Sequence, residues 1–459
     1  MKKFLERLVA RLWNRAAARR RRMPAASGLS LGWRVVDETV TRSKVTVPHA
    51  RRATHVALLG RTGTGKSSLI RWFCEQDIQA GRGFLAFDMH GELTPALLSL
   101  IAAQEQAQGK DLSSKVIVLD PADAEFSVGL NPLDVPQAED AFLTVSQFGE
   151  VLEHRWGLQA FGARTQELLR NALLALADNN LTLLELDPLL TERSFRRQCL
   201  LRLRNSEVCH YFEHRYETVS EPMQAVLREP ILNKTSAFTA DPRFRFIVGQ
   251  RHSSFSLTEA MDEGKWIIAN LAKGRLGAEA ITLGALLLTS AKHSAFARTN
   301  RELFTVYVDE VQNLVGHGDD LETMLGEVRK FGLSICTANQ YLDQLPTEMR
   351  AALLAIGTHI FFQLSPPDAQ SVAGALDGGK PLAERLKNLP RRHLIVKSAS
   401  DPLIEAVVPE IEQPRAPWRE LYDRSRRRWG KPRAEIEAEI VARQEEVDAA
   451  DEEALHDWE

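Results

Sequence analysis

The chain has 459 residues, with 58 Lys and Arg against 61 Asp and Glu and 44% hydrophobic residues, enough apolar material for one large domain or two smaller ones. A charged fraction of 26% with ordinary Gly and Pro contents excludes a disordered or fibrous protein. The four cysteines, Cys74, Cys199, Cys209 and Cys336, form no CxxC pair, which fits a reducing cytosol and argues against a structural zinc, and no apolar run reaches the roughly 18 residues of a membrane span.

The net charge of −3 conceals two ends of opposite sign. Residues 1–22 carry nine basic residues against Glu6, and residues 434–459 carry eleven acids against Arg443, so the body between is almost neutral. Nucleic-acid binding by that body therefore has to come from local clusters rather than from a general basic surface. In the basic segment Phe4, Leu5, Leu8, Val9, Leu12 and Trp13 recur at helical spacing, which predicts a cationic amphipathic helix over 1–22. Three readings stay open for it: peripheral attachment to an anionic membrane, docking on a partner, and a solvated extension. Residues 23–54, with Pro24, Ser27, Gly28 and Gly32, read as a linker followed by one or two short strands between Trp33 and Val47.

From His55 short β-branched apolar runs alternate with helical stretches, the pattern of an α/β domain with a mainly parallel sheet. The predicted strands are Val56–Leu59, Gly83–Phe87, Lys115–Leu119, Trp266–Leu271, Leu303–Val308, Leu333–Thr337, His359–Leu364 and His393–Val396. Strand patterns vanish over 137–264, where runs such as Leu168, Leu169, Ala172, Leu173 and Leu176 predict an inserted all-helical subdomain. The core then comprises 55–136 and 265–410. Residues 411–459 read as a C-terminal appendage, basic around Arg424 and Arg426–Arg428 and then acidic; the acidic part is either a recognition peptide for a basic partner or a solvated tail.

Gly60-Arg61-Thr62-Gly63-Thr64-Gly65-Lys66-Ser67 matches GxxxxGK[ST] in full, directly after a predicted strand and at the start of a predicted helix. In such a loop the glycines turn backbone N–H groups toward phosphates at a positive helix end, Lys66 reaches the β and γ phosphates, and Ser67 ligates Mg²⁺. The nucleotide-binding stretch is Gly60, Arg61, Thr62, Gly63, Thr64, Gly65, Lys66, Ser67 and Ser68. Far downstream an apolar strand ends in Asp309-Glu310: Asp309 is the expected metal-holding acid, and Glu310 the base for the attacking water. Gln340, at the tip of the next strand, reads either as a γ-phosphate sensor or as an ordinary strand-end amide. Arg329 and Lys330 end a helix starting near Asp320; they complement its dipole, or Arg329 is an arginine finger acting on a neighbouring subunit.

A GTPase is the rival to exclude, since Asp88-Met89-His90-Gly91 imitates a DxxG switch and Asn233-Lys234-Thr235-Ser236 imitates a guanine reader. Ser236 stands where the guanine-binding acid is needed, and Asp88 follows Lys66 on the immediately succeeding strand, so ATP is preferred.

Taken in order, several segments resemble the HerA/FtsK group of hexameric motors, and within it the type IV secretion coupling proteins of conjugative DNA transfer. They are Val47-Pro48 to Arg52 with His55, the phosphate loop, Asp88-Met89-His90-Gly91-Glu92, Asp120-Pro121, Asn131-Pro132-Leu133, Asn270-Leu271-Ala272-Lys273-Gly274, Asp309-Glu310, Arg329-Lys330 and Gln340. The resemblance spans roughly 45–410 and implies a RecA-like P-loop NTPase core of the ASCE type, a helical insertion between the nucleotide motifs, and an Mg-ATP-driven hexameric ring threading DNA in the bacterial cytoplasm. Relaxosome or secretion-channel proteins are the implied partners. Typical coupling proteins carry an N-terminal membrane anchor and HerA an N-terminal β-barrel; only 54 residues precede His55 here, so either 1–22 replaces an anchor peripherally at the inner membrane or a separate membrane subunit recruits the motor. Lys273 and Arg275 are the candidate DNA contacts, on a Gly-flanked tip that reads equally as a pore loop or a surface turn. Two alternatives remain beside a conjugative motor: a HerA-like motor in DNA end processing, packaging or phage defence, and an ATP-dependent assembly scaffold that moves no DNA.

Overall fold

The computed structural model describes residues 28–135, 138–315, 324–342, 345–399 and 401–456; the basic segment 1–22 and Asp320 lie outside them. In chain order the elements that position the site are β1 (Gly28–Val36), β2 (Thr39–Pro48), β3 (Val56–Leu59), α1 (Lys66–Ala80), β4 (Phe84–Asp88), α2 (Leu93–Gln108), β5 (Val116–Leu119) and β6 (Phe126–Ser127). The insertion follows, with α3 (Ala138–Trp156), α4 (Ala163–Asp178) and α5 (Glu221–Thr239) as its long helices. The chain then continues through β7 (Trp266–Asn270), α6 (Glu279–Ala297), β8 (Phe304–Asp309), β9 (Leu333–Asn339), β10 (Thr358–Phe361), β11 (His393–Ser398) and β12 (Ile404–Val407). It ends with α7 (Arg419–Trp429), β13 (Lys431–Pro432) and α8 (Arg433–His456).

Eleven strands form one sheet in the order β2-β1-β12-β11-β10-β3-β9-β8-β4-β7-β5. From β10 to β5 neighbouring strands are parallel, and from β10 to β2 they are antiparallel. Alternation along a strand sends residues to opposite faces. On β4, Phe84 and Ala86 join the core under α1 and α2, whereas Leu85 and Phe87 join the core on the other face. That second core runs without a break from the sheet into Leu168, Leu173 and Phe244 of the insertion, so sheet and insertion share one apolar interior.

Two readings of the sequence need correction. The stretch around Gly28 and Gly32 is no linker but strand β1, half of a long hairpin at the sheet edge. A Cβ on Gly28 would lie 2.1 Å from the Val47 carbonyl oxygen, and one on Gly32 2.0 Å from that of Val407. These glycines permit close strand approach, which composition alone cannot distinguish from flexibility. Residues 411–459 are likewise no loose tail as far as they are described. Helix α7 caps the β5 edge, with Ser425 Oγ donating to the Val116 carbonyl at 2.7 Å and Tyr422 OH to Asp123 at 2.7 Å. Helix α8 then buries Ile436 and Ile440 against Phe246 of the insertion. Arg443, the lone Lys or Arg of the acidic segment, donates to Glu185 at 2.9 Å and to the Gly249 carbonyl at 2.6 Å. Lys273-Gly274-Arg275-Leu276, read as a pore loop or a surface turn, forms one helical turn with Lys273 and Arg275 exposed. Among the described residues no helix is long and apolar enough to cross a membrane; Ala351–Leu364 divides between a helix, Thr347–Leu354, and strand β10.

Beneath the sheet, Arg52 and Asp77 form an almost fully buried ion pair, joined by Thr305 and Tyr307 of β8. His55 stands beside it in a left-handed conformation, φ 69°. Its Nδ1 accepts from the Ile335 N–H at 3.0 Å, which leaves Nε2 to donate to the Leu325 carbonyl at 2.7 Å. Burial pushes His55 down to about 4. The folded pKa lies below the unfolded value near 6.5, so the stability from this neutral imidazole is fully present above pH 6.5 and is lost as pH falls through about 4. His55→Asn, which tolerates the positive φ, is expected to lower the thermal midpoint at pH 7 and to flatten its decline between pH 6.5 and 4.5. An unchanged pH slope in that variant would show that His55 is not the sensitive group.

Candidate nucleotide site

Strand β3 delivers the chain into Gly60–Ser67, and α1 begins at Lys66 with Gly65 as its N-cap at φ 115°. Gly63 also has positive φ, 77°, and a Cβ placed there would meet nothing within 4 Å, so the left-handed backbone rather than crowding is what calls for glycine. The left-handed glycines and the helix start suit an anion. Lys66 is buried, with Nζ donating to the carbonyls of Gly60 at 2.5 Å and Arg61 at 3.2 Å. Burial lowers its pKa, opposed by the nearby Asp309 and Glu310 carboxylates.

The acidic pair arrives from two strands away, because β9 lies between β3 and β8. Ser67 Oγ donates to Asp309 Oδ2 at 3.0 Å, a hydroxyl and a carboxylate oxygen placed where one hard cation can be shared. Burial raises the Asp309 pKa, opposed by the Ser67 hydrogen bond and by Lys66. Glu310 leaves the strand in the left-handed region, φ 57° and ψ 61°, while its N–H still donates to the Ala338 carbonyl at 2.7 Å. Gln340 follows directly on β9, and its Oε1 accepts from Thr62 Oγ1 at 3.1 Å, so this amide already touches the phosphate loop. Arg61, Ser67 and Ser68 are exposed at the loop, while Thr64 turns inward to donate to the Arg61 carbonyl at 2.8 Å.

The structure thus collects Gly60–Ser68, Asp309, Glu310 and Gln340 at the carboxyl ends of β3, β8 and β9. It places Arg329 elsewhere. This exposed residue precedes the other end of β9 in a 3₁₀ turn, roughly 20 Å from Gln340 at the usual rise per strand residue. Arg329 cannot serve the nucleotide site of its own chain. Lys273 and Arg275 are exposed just beyond β7, two strands from β8 and therefore about 10 Å to the side. The Lys273 N–H donates to the Met89 carbonyl at 3.1 Å, and the Arg275 carbonyl accepts from Arg243 of the insertion at 2.7 Å.

The GTPase imitations dissolve in three dimensions. Asp88 accepts from the N–H groups of His90, Gly91 and Thr94, which makes it the organiser of the turn into α2. Asn233 and Lys234 lie inside helix α5.

Sequence reasoning missed the support around Glu310. Asn313 Nδ2 donates to Glu310 Oε2 at 3.1 Å, and Asn339 Nδ2 donates to Gln312 Oε1 at 2.6 Å. Thr337 Oγ1 in turn donates to Asn339 Oδ1 at 2.9 Å. An Asn three residues after the acidic pair, and one just before Gln340, were the available signals.

The family described as the helicase HerA central domain matches residues 38–272, just over half of the chain. No curated protein matches at the sequence level. Among solved structures, the plasmid coupling protein TrwB in complex with a non-hydrolysable GTP analogue is similar at 16% identity, TM-score 0.58, over 87% of this chain and 93% of that one. TrwB with a non-hydrolysable ATP analogue is similar at 17% identity, TM-score 0.57, over 86% and 97%. VirB4 of Thermoanaerobacter pseudethanolicus is similar at 14% identity, TM-score 0.58, over 84% and 97%. At these identities the likeness is one of fold, the RecA-like P-loop NTPase fold.

Proposed function

The chain belongs to the helicase HerA central-domain family, and from that premise we propose that it is an Mg-dependent ATPase that works as a ring and drives DNA movement, most closely in the manner of type IV secretion coupling proteins. The observation that carries the ATPase reading is the convergence of a phosphate loop, the Ser67–Asp309 pair at 3.0 Å, and a carboxylate and an amide at neighbouring strand ends. Bound Mg²⁺, held by Ser67 and Asp309, would neutralise charge on the phosphates. Lys66 leaves its loop carbonyls to meet the β and γ phosphates, and the Gly63–Lys66 N–H groups orient them. Glu310 accepts the proton of the attacking water at its carboxylate, and Gln340, already hydrogen-bonded to Thr62, responds to the γ-phosphate.

Ring formation is supported by the position of Arg329, exposed at the sheet end away from its own site, where it is free to reach a neighbour's nucleotide. Lys273 and Arg275, exposed at the nucleotide edge, are the cations offered to DNA phosphates. Family membership equally suits a HerA-like motor in DNA end processing, packaging or phage defence, which shares this core and differs in its partner.

One experiment tests the reading: ATP hydrolysis with and without single- or double-stranded DNA at several salt concentrations, with Lys66→Ala as blank. Salt-sensitive stimulation by DNA is expected. Hydrolysis indifferent to DNA at every salt would favour an assembly scaffold. In the same assay, mixed rings of Arg329→Ala and Lys66→Ala subunits are expected to regain part of the activity that each lacks alone. No recovery in demonstrably mixed rings would remove Arg329 from the site.

A further inference from the structure

The turn that carries Glu310 is held from two sides. On the sheet side Asn339 clasps Gln312. On the other side the contact comes from the helical insertion: Arg155, in the last turn of α3, donates to the Asn313 main-chain carbonyl at 2.5 Å. Asn313 is thereby engaged twice, its carbonyl by Arg155 and its side-chain amide on Glu310 Oε2.

Arg155 is half-buried, burial lowers its pKa, and among the described residues no carboxylate pairs with it. A guanidinium withdrawn from water for a single carbonyl is an expensive way to stabilise a fold. The helix that carries it is firmly seated: α3 packs along α6, with Phe148 against His293, and α6 lies on the sheet core. The seat of α3 therefore fixes where the Arg155 guanidinium meets residue 313, whose side chain meets the carboxylate.

We propose that Arg155 and Asn313 are positioning residues for hydrolysis, a two-bond relay through which the placement of the helical insertion sets the orientation of the Glu310 carboxylate. The inference rests on the ATPase reading above, with Glu310 as base. Asn313 holds Oε2, so that Oε1 is presented to the attacking water in one rotamer. Arg155 holds the backbone from which Asn313 reaches.

The test is steady-state ATP hydrolysis by full-length Asn313→Ala, Arg155→Ala, Arg155→Lys and the double alanine variant, with equilibrium nucleotide binding to verify folding. Each alanine variant is expected to lose about tenfold in kcat with KM for ATP within about twofold, since a misplaced base affects the chemical step and not binding. Arg155→Lys should recover part of the loss, because an ammonium also donates to a carbonyl. The double variant should be no slower than the slower single, because both act through one chain. Unchanged or raised kcat in Asn313→Ala, losses that multiply in the double variant, or a rise in KM alone would each overturn the relay. If Arg155→Ala fails to fold, Arg155→Lys and Asn313→Ala decide on the same criteria. Glu310→Gln separates the two levels: near-normal turnover in it refutes Glu310 as base and the relay with it. A slow Glu310→Gln beside normal alanine variants refutes the relay alone.

Discussion

Glu310→Gln is expected to bind ATP as the wild type does and to hydrolyse it about 10²–10⁴ times more slowly, the usual contribution of a positioned general base. The substitution is nearly isosteric, and a Gln carbonyl can still accept from Asn313, so the turn survives while the proton acceptor is lost. Binding is expected to persist because the loop N–H groups, Lys66 and the Ser67–Asp309 pair are untouched. A left-handed non-glycine residue costs about 1–3 kcal/mol, and Glu310 bears that strain beside the phosphate loop. Phosphate release and fluorescent-nucleotide titration on the same sample measure the two halves. Turnover within a few-fold of wild type would remove Glu310 from the chemistry.

The second large effect is on stability. Asp77→Ala is expected to destabilise the fold by about 3–5 kcal/mol, because it strands the Arg52 guanidinium in the core. Burial opposes charge on Asp77, yet Arg52, Tyr307 and Arg82 together hold its pKa below the usual carboxylate range. The network ties α1, which opens with the phosphate-loop lysine, to β8, which ends in the acidic pair. Removing both charges with apolar residues of similar volume, Arg52→Met with Asp77→Leu, is expected to cost less than Asp77→Ala alone. Thermal and urea unfolding followed by circular dichroism read the comparison. A double variant worse than the single would mean that the pair contributes net stability rather than specificity.

Much of the site was legible before any coordinates. Gly60–Ser67 declares itself because anion binding there needs only local features: glycines at positive φ, a strand before them and a helix after. Asp309-Glu310 was readable as the polar end of an apolar strand, and each predicted strand of the parallel half appears within a residue or two of its expected start. Strand β12 was missed: Ile404–Val407 buries only Ala406 fully and lacks the dense apolar run that marks the parallel strands. Close packing at Gly28 and Gly32 was mistaken for linker flexibility, since both demand the same residue.

The chain's own order of residues therefore determined the nucleotide chemistry, the α/β class and the helical interruption, all of which depend on neighbours in sequence or on the period of a single element. What holds the Glu310 side chain, which sheet edge α7 covers and where α8 docks were decided only by the tertiary structure. Arg155 and Asn313 are 158 residues apart, and Ser425 and Val116 are 309 apart. Such contacts leave no periodicity to read, because each is a single hydrogen bond made possible by a helix packing on the core of one sheet face, α3 on one face and α7 on the other.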